Sequence, residues 1–524
     1  MIDIVWDVLH TVQLFTNLIN PVVEALKYVS SLGYDMLTFC IIEALASDQS
    51  KLEDLQLSQG LQALSSFTGL LCRKYQFDLA GLLQYVLNQL KVGKSYDLAI
   101  LREILHRMSG IDISEEMTDE QLESMSGGEL LLQEGGYYAQ IRNTRRNAGR
   151  LKEALIEHNL IMPFIFLMAQ QRDAIIFLDD PERHCKLAGR LYDQCQGTLV
   201  QFITFLSLQL TREEMQTQCL SIDRMMGEFH VSADTAFCFH RNLFEQKVAT
   251  IFSAASLHVC NEIAAAIRPL YPPRVWDELG IVFFVTFWSL QSSDLVVPES
   301  AYQRQIQQLK EQIHQIDTSA SAWNSAKKKR EIERLENLIE RLNSEQAERE
   351  EHVTRVRTWL MTERDSWFQT RLATKTDTIT QFLQLCIYPR VCFTAADAIY
   401  SAQFMHVLHQ LKTARFSTLI CLDRIFNDIT LPTSMCTEDE AHRYGRFLCA
   451  VLELVMRWHA SEEVFNQECG QYPGFVTVFR KSNNFLAVVV GLNFQGNIFV
   501  YNKLYYKHHY PSSMDYLSKR PHLN

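Results

Sequence analysis

Between residues 301 and 372 apolar residues recur at alternating intervals of three and four. They are Ile306, Leu309, Ile313 and Ile316, then, after the polar break DTSASAWNSAKKKR, Ile332, Leu335, Ile339, Leu342, Val353, Val356 and Leu360. This period matches one stripe of an α-helix and no face of a β-strand, whose side chains alternate every two residues. The positions are a and d of one heptad register, interrupted at Gln346 and Arg349, with charges of both signs on the other faces. An apolar stripe of this kind requires burial. The expected element is a protruding antiparallel helical arm over 299–373, with 301–316 packed on part of 330–372.

Helical patterning also dominates the rest of the chain up to about Arg480. Three segments, YDMLTFCIIEAL (34–45), FDLAGLLQYVLNQL (77–90) and YDLAILREILHRM (96–108), share an aromatic residue, an aspartate and an apolar helical run. Asp35, Asp78 and Asp97 fall where an N-cap accepts the first free backbone N–H groups. Their spacing suits an irregular α-solenoid with HEAT-like repeats. In TDEQLESMSGG (118–128), Thr118 and Gln121 form a capping box, and Gly127 with Gly128 is expected to supply a left-handed stop. Pro163 should divide RLKEALIEHNLIMPFIFLMAQQRDAIIF into two helices. Residues 482–524 change in character: FLAVVVGLNFQGNIFVYNKLYY is β-branched and aromatic around NFQGN and suggests a short β-hairpin before a polar tail. The fold expected is therefore all-α, in five segments: solenoid helices over 1–130, a central helical domain over 131–298, the arm over 299–373, a further helical domain over 374–481 and the divergent tail over 482–524.

Composition excludes several function classes. Hydrophobic residues at 47% and charged residues at 21% suit a packed core rather than disorder. A net charge of -11 makes whole-surface coating of nucleic acid unfavourable, so any such contact must be local. The 13 cysteines contain no CxxC pair and read as mostly buried, reduced thiols of an intracellular protein. The apolar runs at 160–169 and 279–290 are too short to span a bilayer, so no membrane partner is expected.

Candidate chemistry is sparse. Gly93–Ser95 reads GKS, but a P-loop needs glycine five residues earlier, where Asn88 stands, and a preceding strand; a helix C-terminal glycine is the better account. GGELLLQEGG lacks dinucleotide-loop spacing. His406 and His409 lie three apart on a helix with no neighbouring ligand in sequence, and His184, Cys185 and Cys195 lack zinc spacing. No metal, cofactor or catalytic residue is expected. The stretch SGGELLLQEGGYYAQIRNTRRNAGRL (126–151) leaves Arg142, Arg145, Arg146 and Arg150, three of them four apart on one helix side just after Tyr137 and Tyr138. They form either a patch for phosphate or an acidic partner, or a solvated helix start paired with carboxylates. The second reading is favoured, although arginines oppose the dipole of a helix N-terminus.

Several long blocks carry a resemblance. SYDLAILREILHRMSGIDISEEMTDEQLESMSGGELLLQEGGYYAQIRNTRRNAGRLKEALIEHNL, VWDELGIVFFVTFWSLQSSDLVVPESAYQRQI, ITQFLQLCIYPRVCFTAADAIYSAQF and CTEDEAHRYGRFLCAVLELVMRWHASEEVFNQECGQYPGF resemble the THO complex subunit 2 family, over roughly residues 76–475. The resemblance implies a non-enzymatic nuclear scaffold of THO/TREX that couples transcription to mRNA processing and export. It implies other THO subunits and a DEAD-box RNA helicase as partners, with mRNA held as part of the complex; the net charge of -11 makes direct RNA binding by the chain itself expected to be weak. It also implies that GGYYAQIRNTRR connects helices rather than cradling phosphate. Family members are expected to be much longer, and this chain is expected to leave the family pattern after about Arg480. The alternative is a direct RNA-binding helical module acting through the arginine patch.

Overall fold

The computed structural model describes residues 2–47, 51–53, 56–112, 117–134, 144–177, 184–241, 263–318, 325–368, 375–427, 429–470, 472–478 and 489–491, and its backbone there is helical almost throughout. Two short antiparallel strand pairs are the exceptions, Leu52–Glu53 with Gln56–Leu57 and Val476–Val478 with Val489–Gly491. The hairpin expected about NFQGN has no support. Its turn and second strand lie outside the described residues, and Val489–Gly491 pairs instead with the segment preceding it.

The chain divides into two compact units that are not consecutive in sequence. The first comprises 1–246 and 298–347, the second 247–297 and 348–524.

In the first unit, helices Ile2–Leu14, Gln59–Lys74, Leu98–Ser109 and Cys185–Gln209 pack side by side in that order. Ser31–Ala46, Ala80–Lys91 and Ile161–Phe177 form a second series beside them. Each helix buries an i, i+3, i+4 stripe: Leu64, Phe67 and Leu71 face Leu101, Ile104, Leu105 and Met108, all nearly solvent-free. Burial of one such side chain stabilises the unit by about 1.5–3 kcal/mol.

Local capping follows the sequence in part. Thr118 and Gln121 form the expected reciprocal box. Gly93 ends its helix with φ +81°, as a C-terminal glycine should. Asp78 accepts from the Ala80 N–H at 2.8 Å. Asp35, however, lies inside Ser31–Ala46, because Ser30 already takes the N-cap. Asp97 occupies an N-cap position, but its carboxylate is drawn to Lys51 at 2.8 Å and to the Tyr85 hydroxyl at 3.2 Å. The split near Pro163 occurs just before it: Arg145–Glu157 and Ile161–Phe177 meet at 88°, with Asn159 at φ +52°. Among the described residues no single helix is long and apolar enough to cross a membrane.

Gly127 and Gly128 do not form a left-handed stop; the positive-φ glycines among the described residues are Gly93 and Gly110. Gly128 serves a close approach instead. Glu345, from helix Ser325–Glu363, accepts the backbone N–H groups of Leu130 at 2.7 Å and Leu131 at 3.1 Å, at the start of helix Glu129–Glu134. The Tyr302 hydroxyl donates to the same carboxylate at 3.0 Å and accepts from Gly128 N–H at 2.9 Å. A Cβ on residue 128 would fall 2.6 Å from Glu345 Cγ and Oε2. Gly128→Ala is therefore expected to displace the carboxylate and destabilise the first unit by about 1–3 kcal/mol. Urea unfolding of the full chain checks this, and an unchanged midpoint would contradict it.

Helix Glu299–Thr318 and the 325–347 part of helix Ser325–Glu363, both in the first unit, run antiparallel. Tyr302 meets Glu345 at one end, and Lys328 meets Asp317 at the other, by a salt bridge of 3.2 Å. Burial is deepest at the Tyr302 end, where Tyr302, Leu309 and Leu342 are at most 3% exposed, while Ile313, Ile316 and Ile332 remain half-buried.

The second unit is organised around helix Ile281–Ser289, which is apolar on every side and buries Phe283, Phe284, Val285, Phe287 and Trp288. Phe283 meets the rings of Trp367, Phe368, Phe382 and Phe404. Helix Lys375–Phe382 passes through a π turn at Leu383–Ile387 just before Pro389. Proline has no N–H to continue the α ladder, so the turn widens there. In this unit the long helix buries His352, Val356 and Leu360, and His352 Nε2 lies 2.8 Å from Asp294 Oδ1.

Candidate functional site

The arginine cluster expected from the sequence separates into distinct environments. Arg142, with Tyr137 and Tyr138, lies outside the described residues. Arg145 and Arg146 open helix Arg145–Glu157 and are exposed. That helix has no acidic residue in its first turn, and Thr144 offers it no side-chain cap, because its hydroxyl donates to Ser109 O at 2.7 Å. Two positive charges thus stand at a helix end whose dipole is already positive. Arg150 points elsewhere. Its guanidinium donates to Cys72 O at 3.2 Å and Tyr75 O at 3.0 Å, closing the C-terminus of Gln59–Lys74. Burial lowers the pKa of Arg150, and the charge on Arg146 acts in the same direction. Arg150 is therefore engaged in packing, and among the described residues of the cluster the exposed cations are Arg145 and Arg146.

The histidine pair is a packed polar core. His409 Nδ1 lies 2.9 Å from Thr418 Oγ1 and Nε2 lies 2.9 Å from Glu468 O, with Trp458, Tyr472 and Phe475 around the ring. Cys469 Sγ is 3.8 Å from Nε2, a neighbour that sequence spacing did not reveal across 60 residues. Burial lowers the pKa of both histidines, that of His406 to about 4, so both rings are neutral near pH 7. Among the described residues no group of three His, Cys, Asp or Glu could hold a metal ion.

The most elaborate polar arrangement is structural. Arg390, fully buried, pairs with Asp397 at 2.8 Å and donates to the carbonyls of Phe287 and Leu290, the latter at 2.6 Å. Its guanidinium stacks 3.5 Å above the Tyr400 ring, and the Tyr400 hydroxyl donates to Phe287 O at 2.9 Å. Thr394 donates to the second Asp397 oxygen at 2.7 Å. The segment YPRVCFTAADAIY thus caps the C-terminus of the central apolar helix. This geometry ties the end of the central apolar helix to the segment that follows Tyr388.

Residues 276–516 match a family model described as "Transcription factor/nuclear export subunit protein 2". Residues 4–65 match one described as "Transcription- and export-related complex subunit". The first match extends beyond Arg480, a longer stretch than the sequence reading assigned to the family. The chain is similar to the human THO complex subunit 2, at 46% identity over 495 residues, covering 90% of this chain and 31% of that protein. The Arabidopsis thaliana THO complex subunit 2 is 32% identical over 525 residues, covering 91% of this chain and 28% of that protein. The Saccharomyces cerevisiae THO complex subunit 2 is 21% identical over 460 residues, with 86% and 27% covered. The chain spans just under a third of the length of these relatives.

Proposed function

Since the chain belongs to the THO complex subunit 2 family, we propose that it acts as a non-enzymatic scaffold segment of a nuclear THO/TREX complex that couples transcription to mRNA processing and export. The observation that carries this reading is the 46% identity maintained over 90% of the chain. The helical packing supports it. Two neighbouring series of helices in the first unit suit an α-solenoid, whose stacked helices present long surfaces to partners. The antiparallel pairing of Glu299–Thr318 with residues 325–347 of helix Ser325–Glu363 suits the helical arm expected from the heptads. The partners proposed are other THO subunits and a DEAD-box RNA helicase of the export machinery.

RNA is held in this reading by the assembly rather than by this chain. The net charge of -11 opposes extended phosphate contact, and among the described residues of the arginine cluster Arg145 and Arg146 are the exposed ones. Single-stranded RNA is expected to bind weakly at low ionic strength and to be released by ~0.2 M salt, with a shallow slope for few phosphate contacts. Arg145→Glu with Arg146→Glu should abolish the residual signal without changing the helical circular dichroism spectrum. Filter binding across a salt series checks this; tight, salt-resistant binding would favour the direct RNA-binding module instead.

A further inference from the structure

We propose that Arg357, Lys412 and Arg415 form a cationic docking surface for a short acidic segment of a partner protein. All three belong to the second unit, lie around the C-terminus of helix Ala395–Gln410 and are exposed. Arg357 donates to Gln410 Oε1, and the Gln410 amide donates in turn to His406 Nε2 at 2.6 Å. Gln410 thereby holds the guanidinium beside the helix end. Lys412 Nζ lies 4.4 Å above the Tyr472 ring, which stacks on His409 with centroids 5.0 Å apart. Two further arginines border the patch but are already paired. Arg364 donates to Leu411 O and meets Asp365 at 3.5 Å, and Arg457 meets Glu468. Among the described residues Arg357 and Lys412 form no salt bridge.

The loop that carries Lys412 and Arg415 is built against local preference. Lys412 has φ +53° and Arg415 φ +65°. The Lys412 N–H donates to His409 O at 3.0 Å and the Thr413 N–H to Leu408 O at 3.3 Å, a Schellman end whose left-handed position glycine fills without strain. A side chain with a Cβ is disfavoured there. Two of the four non-glycine residues with positive φ among the described residues fall in this loop, and both are exposed cations. The helix dipole favours a cation near the last carbonyls, but it gives no reason for lysine and arginine at the strained positions themselves. Such strain points to side chains kept for what they contact. Burial is the main cause that lowers the His406 pKa; His409, Arg457 and Arg357 lower it further against Glu468, in keeping with a cationic local field. Guanidinium forks match carboxylates. The net charge of -11 repels a long polyanion at a distance, whereas a short acidic segment meets mainly the local field. The inference rests on the scaffold reading only in taking the partner to be a protein.

The test titrates the full folded chain into a fluorescent oligoglutamate peptide and follows anisotropy across a salt series that starts at ~0.05 M. The expected result is binding that weakens as salt rises. Lys412→Gly with Arg415→Gly removes both charges while relieving the backbone. It should weaken binding about fivefold or more and leave the thermal midpoint unchanged or raised. Arg357→Gln should weaken binding as well, and Arg145→Glu with Arg146→Glu should bind as the wild type does. A synthetic peptide needs no THO subunit, so its result is distinct from reconstitution of the complex. The proposal is overturned if the peptide does not bind at the lowest salt, if the glycine variant binds it as tightly as the wild type, or if Arg145→Glu with Arg146→Glu removes the signal instead. It is also overturned if an oligouridylate of equal charge binds more tightly than the peptide and is lost in the glycine variant, which would make nucleic acid the ligand of this surface.

Discussion

Replacing Arg390 with alanine lowers the stability of the second unit by about 3–5 kcal/mol, because the buried Asp397 carboxylate loses its counter-charge while staying away from water. The same change strips the Phe287 and Leu290 carbonyls of their donor at the end of Ile281–Ser289 and removes the cation from the Tyr400 face. Urea unfolding monitored by fluorescence of the buried Trp288 and Trp367 should show a midpoint lowered by more than about 1 M. Arg390→Lys keeps the charge but cannot reach three acceptors as a planar fork, so its loss should be intermediate. Removing both charges, with Arg390→Met and Asp397→Leu together, should cost less than Arg390→Ala alone. A single-alanine cost below 1 kcal/mol would show that the network does not hold the unit together.

Introducing an aspartate at Leu342 is expected to have a comparable effect in the first unit. Leu342 is 0% exposed and lies one helical turn before Glu345, whose carboxylate organises residues 128–131. The substitution removes a buried leucine and brings a charge into an apolar contact, a loss of about 4 kcal/mol or more. Hydrogen exchange should rise in Glu299–Thr318, in residues 325–347 and at the start of Glu129–Glu134 together. Ile332→Asp, toward the half-buried end of the same pair, should cost about 1 kcal/mol or less. Equal losses at both positions would contradict the graded burial seen along the helices.

What could be read in advance was local. Helical period, the Thr118–Gln121 box, the Gly93 stop and the division near Pro163 depend on neighbours within a few residues, and their chemistry is written there. Competition between local alternatives was harder to read. Asp35 and Asp97 have cap-forming side chains, but Ser30 takes the first N-cap and Lys51 draws off the second carboxylate. Spacing does not rank such rivals. Long-range partners left no local signal at all. The glycine at 128 reads as a helix stop until Glu345, 217 positions later, is found lying against its backbone. The heptad stripe was legible as helical but not as to its partners. In its later part the buried residues are His352, Val356 and Leu360, with Val353 half-exposed, and His352 faces Asp294. The arginine cluster shows the same limit: four equal entries in the sequence become two exposed side chains, one helix-closing donor and one residue outside the described segments.

The scaffold reading is tested most directly by reconstitution from purified parts. The recombinant chain is mixed with the other purified THO subunits after nuclease treatment and examined by analytical ultracentrifugation at ~0.15 M salt. The account predicts a defined, stoichiometric complex that survives nuclease treatment and is unaffected by Arg145→Glu with Arg146→Glu, because folded helical surfaces rather than bridging RNA hold it together. A soluble, helical chain that sediments alone in the presence of every THO subunit would contradict it.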